Sequence, residues 1–373
     1  MTEIQQIKFS EEQAQLLEIA SNYCRDKSPI AEVRARIETE PGYDPAVYEE
    51  IAALGWLGIA VPEAFGGSGL GLGEVVTIAE PMGRHLLATP FQSTTVAAQA
   101  LLAAGTDAQK AAWLPRLCEG TVATVALTEP DGDWHPADPG CRAERIGDGL
   151  ALAGTKTFVG DAETAALIIA SVALDGQPSL VLIEASSLPE TALQREVAID
   201  ETRRSCRLNL DGLTVPADSL LDPARAETGM HHIQMVQCLL LAAEMCGGIA
   251  GVLDVTLEYL NTRKQFDRFI GSYQSLKHPM VDALTGLEAS RSLLYHAATV
   301  FADDEAGETA VRMAKAQASD SFAFASDRAI QFHGGFGFTY DCDAQLYRRR
   351  ALWCEYQQGD AAYHRRHLAE LLL

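Results

Sequence analysis

The sequence predicts a mostly α-helical protein with a central β-domain, and the periodicity of its 373 residues is the main reason. Apolar residues recur at helical spacing before residue 118 and after residue 223, whereas the intervening stretch holds short β-rich runs separated by Gly, Asp and Pro. We therefore expect three domains, namely an N-terminal helical domain (1–118), a middle β-barrel or sandwich (119–222) and a C-terminal helical domain (223–373).

The first block contains several helical patterns and one glycine-rich loop. "SEEQAQLLEIASNYCRDK" is a helix with a cap at Ser10 and Gln13, and "PAVYEEIAALGWLGIAVP" is a helix that ends before Pro62. "PEAFGGSGLGLGE" (62–74) is a loop. Further helices follow in "EVVTIAEPMGRHLL" and "STTVAAQALLAAG", and Thr106 opens the last helix of the block.

The middle and last blocks are separated by their periodicity. Strands are predicted in "TVATVALTEP", "GLALAGTKTFVG", "AALIIASVA", "SLVLIEAS" and "SCRLNLDGLTVP". Helices are predicted over 230–262, about 272–302 and about 305–332. A loop, "FHGGFGFTYDCD", precedes a final helical segment.

Composition limits the classes of partner. The net charge of −22 disfavours nucleic acid and anionic membranes. None of the eight cysteines forms CxxC, so we expect reduced, packed thiols and neither disulfides nor a metal site. No apolar run approaches the roughly 20 residues of a membrane span, and the N-terminus lacks the pattern of a signal peptide. The expected compartment is the cytoplasm.

Two stretches carry candidate binding residues. "TRKQFDRFIGSYQSLKH" (262–278) places Arg263, Lys264 and Arg268 in one turn of a chain that has few cations, and guanidinium groups bind phosphate well. The interleaved Phe266 argues against a merely solvated turn. "QFHGGFGF" (331–338) has glycines that let a ligand approach the backbone, but it does not match the dinucleotide pattern GxGxxG.

With "PEAFGGSGLG" and "TEP" (128–130), these stretches resemble the acyl-CoA dehydrogenase family over nearly the whole chain. The resemblance implies a helical domain, a β-barrel and a C-terminal four-helix bundle. It also implies FAD as the cofactor, which takes hydride from an acyl-CoA thioester after a proton is abstracted beside the thioester.

The resemblance assigns one half of the FAD site almost completely. Family members hold the adenosine and pyrophosphate of FAD, largely that of a neighbouring subunit, with an Arg-x-x-Phe turn, a downstream Gln and a Gln-x-x-Gly-Gly-x-Gly loop. The matching residues here are Arg263, Phe266, Gln274, Gln331, Gly334, Gly335 and Gly337. Asp267 stands where the family usually has Gly.

The half that holds the flavin ring departs from the family. Thr128 matches, but the acidic "DGDWHPADPG" (131–140) replaces a Gly-rich stretch, and Gly160 replaces a residue with a hydroxyl near flavin N5. Both usual positions of the catalytic base hold glutamine, at Gln358 and near Gln237. Glutamine cannot accept a proton at neutral pH.

Glu244 is the one charged residue in "CLLLAAEMCGGIAGVL" (238–253), two helical turns after Gln237. Three interpretations are open: a structural pair with a basic residue of a neighbouring helix or subunit, the floor of an acyl pocket, or a relocated base with a raised pKa.

The uneven match resembles the smaller subunit of heteromeric family members that serve bulky acyl-CoA thioesters such as steroid side chains. It implies a dimer or tetramer with a homologous partner that carries the catalytic Glu, and electron-transfer flavoprotein as acceptor. The alternatives are a self-sufficient homo-oligomer that uses Glu244 and a relative that activates oxygen.

Overall fold

A computed structural model describes residues 10–135 and 138–373. Residues 1–9, and residues 136 and 137 of the acidic stretch, lie outside the described residues. The first block contains the helices α1 (Glu11–Lys27), α2 (Ile30–Ile37), α3 (Pro45–Ala53), α4 (Leu72–Arg84), α5 (Phe91–Ala104) and α6 (Asp107–Cys118).

Strands follow and helices return. The strands are β1 (Ala123–Ala126), β2 (Arg142–Ile146), β3 (Gly149–Ala153), β4 (Thr155–Gly160), β5 (Leu167–Leu174), β6 (Gln177–Glu184), β7 (Leu193–Arg195), β8 (Ser205–Asn209) and β9 (Thr214–Pro216). The last block holds α7 (Ala226–Thr262), β10 (Lys264–Gln265), β11 (Arg268–Phe269), α8 (Gln274–Thr299), α9 (Glu305–His333), α10 (Ala344–Tyr356) and α11 (Ala361–Leu372).

The chain divides into two compact units. Unit 1 comprises residues 10–35, 72–87 and 238–373 of the described chain. In it, α1 packs on α4, and α9 is the central helix, in contact with α8, α10 and α11. The predicted capping box that starts α1 is present, because Ser10 and Gln13 bond each other's backbone N–H groups.

The glycines of α7 let its backbone approach that of α4 within unit 1. A Cβ added to Gly247 would lie 1.8 Å from the Glu80 carbonyl oxygen, and one added to Gly83 would lie 2.1 Å from the Glu244 carbonyl oxygen. Carbon and oxygen cannot approach this closely, so both helices require glycine at their crossing. The small residues around Glu244 thus have a packing role.

Unit 2 comprises residues 36–71 and 88–237 and contains strands β1 to β9. A six-stranded sheet runs in the order β1-β5-β2-β3-β9, with β6 on β5, and a three-stranded sheet runs β4-β8-β7. β1 and β2 pair in parallel with successive parts of β5, with Ala123 opposite Leu167 and Arg142 opposite Ala173. β5 and β6 form a hairpin whose two loop residues, Asp175 and Gly176, both have positive φ, the typical Asp-Gly turn.

The order of helical, β-rich and helical segments confirms the predicted fold class, whereas the three-domain division stays a prediction. Several elements differ from expectation, and among them the helix α2 and the short strands β10 and β11 lie where no such element was predicted. β2 and β7 were not predicted because both are short and largely exposed. The final helical segment is interrupted at residues 357–360, where Gln358 has a φ of 57° and Gly359 a φ of 101°.

The expectation that no run could span a membrane is corrected by α7. By length and composition the helix over Pro223–Thr262 is apolar enough to cross a bilayer. The most apolar 18-residue stretch of this helix is 94% buried inside the protein, as in the core helix of a globular domain. The helix is therefore weak evidence for a membrane.

Candidate functional site

A β-hairpin with a two-residue loop follows the end of α7 and carries the predicted basic turn. β10 and β11 pair Lys264 with Phe269, and the loop residues Phe266 and Asp267 have φ values of 54° and 58°. Positive φ at both loop positions is the geometry of a tight hairpin turn. The turn leaves Phe266 88% exposed.

The loop after α9 forms the opposing wall. Gly334 ends the helix with a φ of 63° and a ψ of −144°, a conformation that essentially requires glycine. His333 precedes it and is 5% exposed. Its ring stacks on Tyr259 of α7, with centroids 4.3 Å apart and an angle of 25° between the planes.

Together these segments line a cavity of about 700 Å³ that is broadly open to solvent. This volume is typical of a site for a nucleotide-sized ligand. All of the lining residues belong to unit 1. They are Tyr259, Arg263, Gln265, Phe266, Ile270, Tyr273, Ser275, Leu276, Phe332, His333, Gly334, Gly335 and Phe336.

The cavity brings together four of the predicted cofactor residues, Arg263, Phe266, Gly334 and Gly335. Gln274, Gln331 and Gly337 are adjacent in sequence but are not among its lining residues. Gly337 has a packing reason for being glycine, because an added Cβ would lie 2.3 Å from the Ile330 carbonyl oxygen.

Sequence reasoning did not assign Tyr259, Tyr273 or His333 to the site. Tyr259 lies one helical turn before Arg263, so helical spacing could have suggested it. His333 lies inside the "QFHGGFGF" motif, in which the resemblance assigns a role to the glutamine and the glycines.

The chemistry of the cavity fits the adenosine and pyrophosphate half of FAD. The Arg263 guanidinium has no hydrogen-bond or ion-pair partner within residues 10–135 and 138–373, so it is free to bind phosphate. Added Cβ atoms at Gly334 and Gly335 would meet no atom within 4 Å, which leaves open space along the backbone. Phe266 and Phe336 offer aromatic faces to a planar base.

The predicted residue of the ring half, Thr128, lies in unit 2. Its carbonyl oxygen accepts a hydrogen bond from Thr157 N at 2.9 Å. Next to it, Glu129 pairs with the fully buried Lys156 at 2.6 Å. Burial acts to raise the pKa of Glu129, but the bonds from Lys156 and from backbone N–H groups hold it below its usual value.

The surroundings of Gly160 differ from those of Thr128. An added Cβ at Gly160 would meet no atom within 4 Å, so the position has room for the hydroxyl-bearing side chain that the family usually has there. Two residues earlier, Phe158 is half exposed and has a φ of 53°. The ring half therefore has one candidate hydroxyl, Thr128, and an open position at Gly160.

Glu244 forms a buried ion pair with Arg350 of α10. Arg350 Nη1 donates to Glu244 Oε1, and the two side chains are 0% and 2% exposed. The carboxylate therefore has the buried cationic partner that one of the three interpretations requires.

The two positions that the resemblance assigns to the base are partly or fully buried. Gln237 Oε1 is buried and has no hydrogen-bond partner in the described part of the chain. Gln358 is buried, and its carbonyl oxygen lies 3.8 Å from Cys238 Sγ. Seven of the eight cysteines are buried, and burial raises the pKa of the Cys238 thiol to about 11, so these thiols are packed and protonated.

Comparisons with known proteins agree with this geometry. Residues 10–121 match the model of the acyl-CoA dehydrogenase N-terminal domain, and residues 233–373 match that of the C-terminal domain. Acyl-CoA dehydrogenase IpdE2 of Mycolicibacterium smegmatis is 29% identical over 345 residues, which cover 92% of this chain and 93% of that protein.

Two solved assemblies are similar over almost their whole chains. The steroid acyl-CoA dehydrogenase Tcur3481-Tcur3483, in a variant form, is 31% identical with a TM-score of 0.86 and coverage of 97% and 98%. The ChsE4-ChsE5 complex of Mycobacterium tuberculosis is 25% identical with a TM-score of 0.90 and coverage of 98% of both chains. The chain therefore belongs to the acyl-CoA dehydrogenase family, whose members are oxidoreductases that act on the CH–CH bond of acyl-CoA thioesters.

Proposed function

We propose that the chain is an FAD-binding subunit that acts with a homologous partner carrying the catalytic Glu in the α,β-dehydrogenation of an acyl-CoA thioester. The contrast between two parts of the chain carries this proposal. The cavity beside Arg263 keeps the groups that an adenosine and a pyrophosphate need. Both usual base positions, in contrast, hold glutamine, at Gln237 and Gln358.

The burial of Glu244 supports a structural role for this residue rather than that of a base. To accept a proton from a thioester it would have to leave Arg350 and reach the ligand, although it is 2% exposed. A general base must lie within hydrogen-bond reach of the proton that it removes. The same burial argues against the self-sufficient homo-oligomer.

The cavity residues would act on the cofactor in distinct ways. Arg263 would pair with the pyrophosphate, Phe266 and Phe336 would pack on the adenine, and Gly334 would bring the backbone close to the phosphates. Thr128 would offer a hydroxyl to the flavin ring of this chain's own site. Bound FAD supplies the hydride acceptor of the reaction.

The exposed aromatic residues around the cavity support an assembly. Phe266, Phe338 and Tyr340 are 88%, 74% and 61% exposed and belong to the two segments near the cavity. Exposed apolar groups in one region are typical of a surface that another protein covers. We propose a dimer or tetramer that buries this part of the C-terminal helices.

The relatives suggest the substrate and the acceptor. One similar structure is named a steroid dehydrogenase and another is a complex of two chains, which supports a bulky steroid-type acyl-CoA and a heteromeric assembly, a heterotetramer in our proposal. Electron-transfer flavoprotein is the acceptor that we propose for the reduced flavin.

The proposal is tested by producing the chain alone and together with a homologous acyl-CoA dehydrogenase chain. We expect the co-purified assembly to carry flavin and to dehydrogenate a steroid-type acyl-CoA, and the chain alone to do neither at a comparable level. Flavin absorbance after gel filtration, light scattering and turnover with an artificial acceptor are the measurements. Stoichiometric flavin and full turnover in the chain alone would instead support the homo-oligomer.

A further inference from the structure

His333 places one unpartnered polar atom in the cavity beside Arg263. Its Nδ1 lies 2.8 Å from the Ala329 carbonyl oxygen. A carbonyl oxygen only accepts hydrogen bonds, so Nδ1 carries the proton and donates. In the neutral ring Nε2 then holds a lone pair and can only accept.

The remainder of the ring is held in place by packing. It stacks on Tyr259 at 4.3 Å and lies 6.5 Å from the ring of Phe336, at an angle of 45°. A rotation of the imidazole would break both the stack and the bond to Ala329. The orientation of Nε2 is therefore set before any ligand binds, as a selective site requires.

Nε2 has no hydrogen-bond partner within residues 10–135 and 138–373, because the bond to Ala329 is the one that His333 makes there. The residue is 5% exposed and lines the cavity, so a group inside the cavity is the natural donor to Nε2. Nε2 is not among the fully buried atoms of the described residues that lack a partner, so solvent reaches it in the free chain, and a ligand donor would replace that solvent contact.

His333 Nε2 differs from the other polar groups of the cavity because it can accept but cannot donate. Arg263 can only donate, and the hydroxyl and amide groups of Tyr259, Gln265, Tyr273 and Ser275 can do both. We infer that His333 Nε2 accepts a hydrogen bond from the bound nucleotide and selects it by its donor group. The donor is the amino group of adenine or the 2′-hydroxyl of the ribose. This inference rests on the proposed function, because it specifies a residue of the same nucleotide site.

The test compares three nucleotides by calorimetric titration of the full chain: ADP, IDP, in which a carbonyl replaces the adenine amino group, and 2′-deoxy-ADP. We expect ADP to bind roughly 3- to 10-fold more tightly than whichever analogue lacks the donor. Weakened binding of IDP identifies the amino group, and weakened binding of 2′-deoxy-ADP identifies the ribose.

The variant His333→Phe keeps a ring that can stack on Tyr259 but removes the acceptor, so it should bind all three nucleotides about equally. His333→Gln keeps an acceptor oxygen and should restore part of the preference. Equal affinity of the wild-type chain for all three would overturn the inference and leave the nucleotide site intact. A preference that survives in His333→Phe would overturn it as well.

Absence of any ADP binding by the wild-type chain would instead contradict the proposed nucleotide site itself, and with it the inference. The wild-type comparison needs no variant, so a misfolded His333→Phe protein would not remove the test.

Discussion

Two regions of unit 1 differ in whether their polar side-chain groups have hydrogen-bond partners within the chain. At the cavity, the Arg263 guanidinium and His333 Nε2 have no partners within the described residues, and they face open space. Around residues 355–360 the polar groups are paired with one another. Lys315 Nζ, which is fully buried, donates to the carbonyl oxygens of Glu355 at 3.2 Å and Gly359 at 2.9 Å and to Ser319 Oγ at 3.2 Å.

His364 completes the second region. Its Nδ1 lies 3.3 Å from Arg312 Nη1, which can only donate, so Nδ1 accepts. The ring's Nε2 lies 3.9 Å from Cys238 Sγ. Burial, together with the positive charges of Lys315 and Arg312, lowers the pKa of His364 to about 2. The ring is therefore neutral.

The difference separates ligand sites from internal structure. Unpartnered polar atoms that are fixed in place and face a cavity are typical of a ligand-binding site. Buried polar groups that bond to one another instead stabilise the positions of the segments that carry them. The pair of Glu244 and Arg350 belongs to the second kind. Substitutions in the two regions should therefore change different measurable quantities.

The largest effect is expected for Glu244→Gln. The substitution leaves the Arg350 guanidinium buried without its counter-charge, and the loss of one member of a buried pair costs about 3–5 kcal/mol. Denaturant unfolding should show this loss, while turnover of the folded assembly stays near that of the wild type.

Asp320→Asn is the control for Glu244→Gln. Asp320 pairs with Arg365 at the surface, where both side chains are about half exposed, so its removal should cost about 0–1 kcal/mol. If Glu244→Gln abolished turnover and left the unfolding midpoint unchanged, Glu244 would be the base.

In the cavity, Arg263→Ala should weaken FAD binding without changing the stability of the apo chain. The lost charge-assisted bond contributes about 1.5–3 kcal/mol, or roughly 10- to 150-fold in affinity. Flavin retained by the assembly after dialysis measures the effect. Arg268→Ala is the matched control, since Arg268 lies in the same hairpin but does not line the cavity. Equal flavin loss in both variants would mean that the turn binds flavin only as a nonspecific basic surface.

The contrast between the regions explains how much could be predicted from the sequence. Helical and strand periodicity are local, so the block order, the capping box at Ser10 and the helix start at Thr106 were predictable and are confirmed. The apolar pattern around Glu244 also indicated burial. Its partner, Arg350, lies 106 residues away, and no local pattern could identify it.

The site was predictable where it depends on residue type and was missed where it depends on geometry. A guanidinium and paired glycines suit phosphate in almost any arrangement, so Arg263 and Gly334 could be proposed from the motif. The role of His333 depends on the Ala329 carbonyl and on the stack with Tyr259. The bond to Ala329 lies within one helix, but the stack joins two helices that are far apart in the sequence, and no local pattern predicts it.

The internally paired region should give the protein an acid-dependent stability. His364 has a folded pKa of about 2 and an ordinary pKa of 6.5, so below pH 6.5 the unfolded chain binds a proton that the folded chain does not. Stability is therefore fully present above pH 6.5 and falls as pH falls, by about 2 kcal/mol between pH 8 and pH 5.

Unfolding of the wild type and of His364→Gln across this range isolates the effect, because the variant should lose the corresponding part of the slope. The exposed His278, changed to Gln, is the control and should leave the slope as it is. An unchanged slope in His364→Gln would mean that His364 becomes protonated in the folded chain.

The smallest effect is expected at Asp267, where the cavity hairpin departs from the family's glycine. Asp267 has a φ of 58°, which is unfavourable for a side chain, although aspartate tolerates it better than most residues. Asp267→Gly relieves this strain but adds freedom to the unfolded chain, so we expect a net gain of only about 0.5 kcal/mol. Asp267→Asn removes the charge and keeps the conformational cost, so its stability should stay near that of the wild type.

Denaturant unfolding of the two apo variants, followed by flavin retention in the assembly, separates strain from charge. If Asp267→Gly is instead less stable than the wild type, the hairpin gains from the aspartate a stabilisation that exceeds the strain.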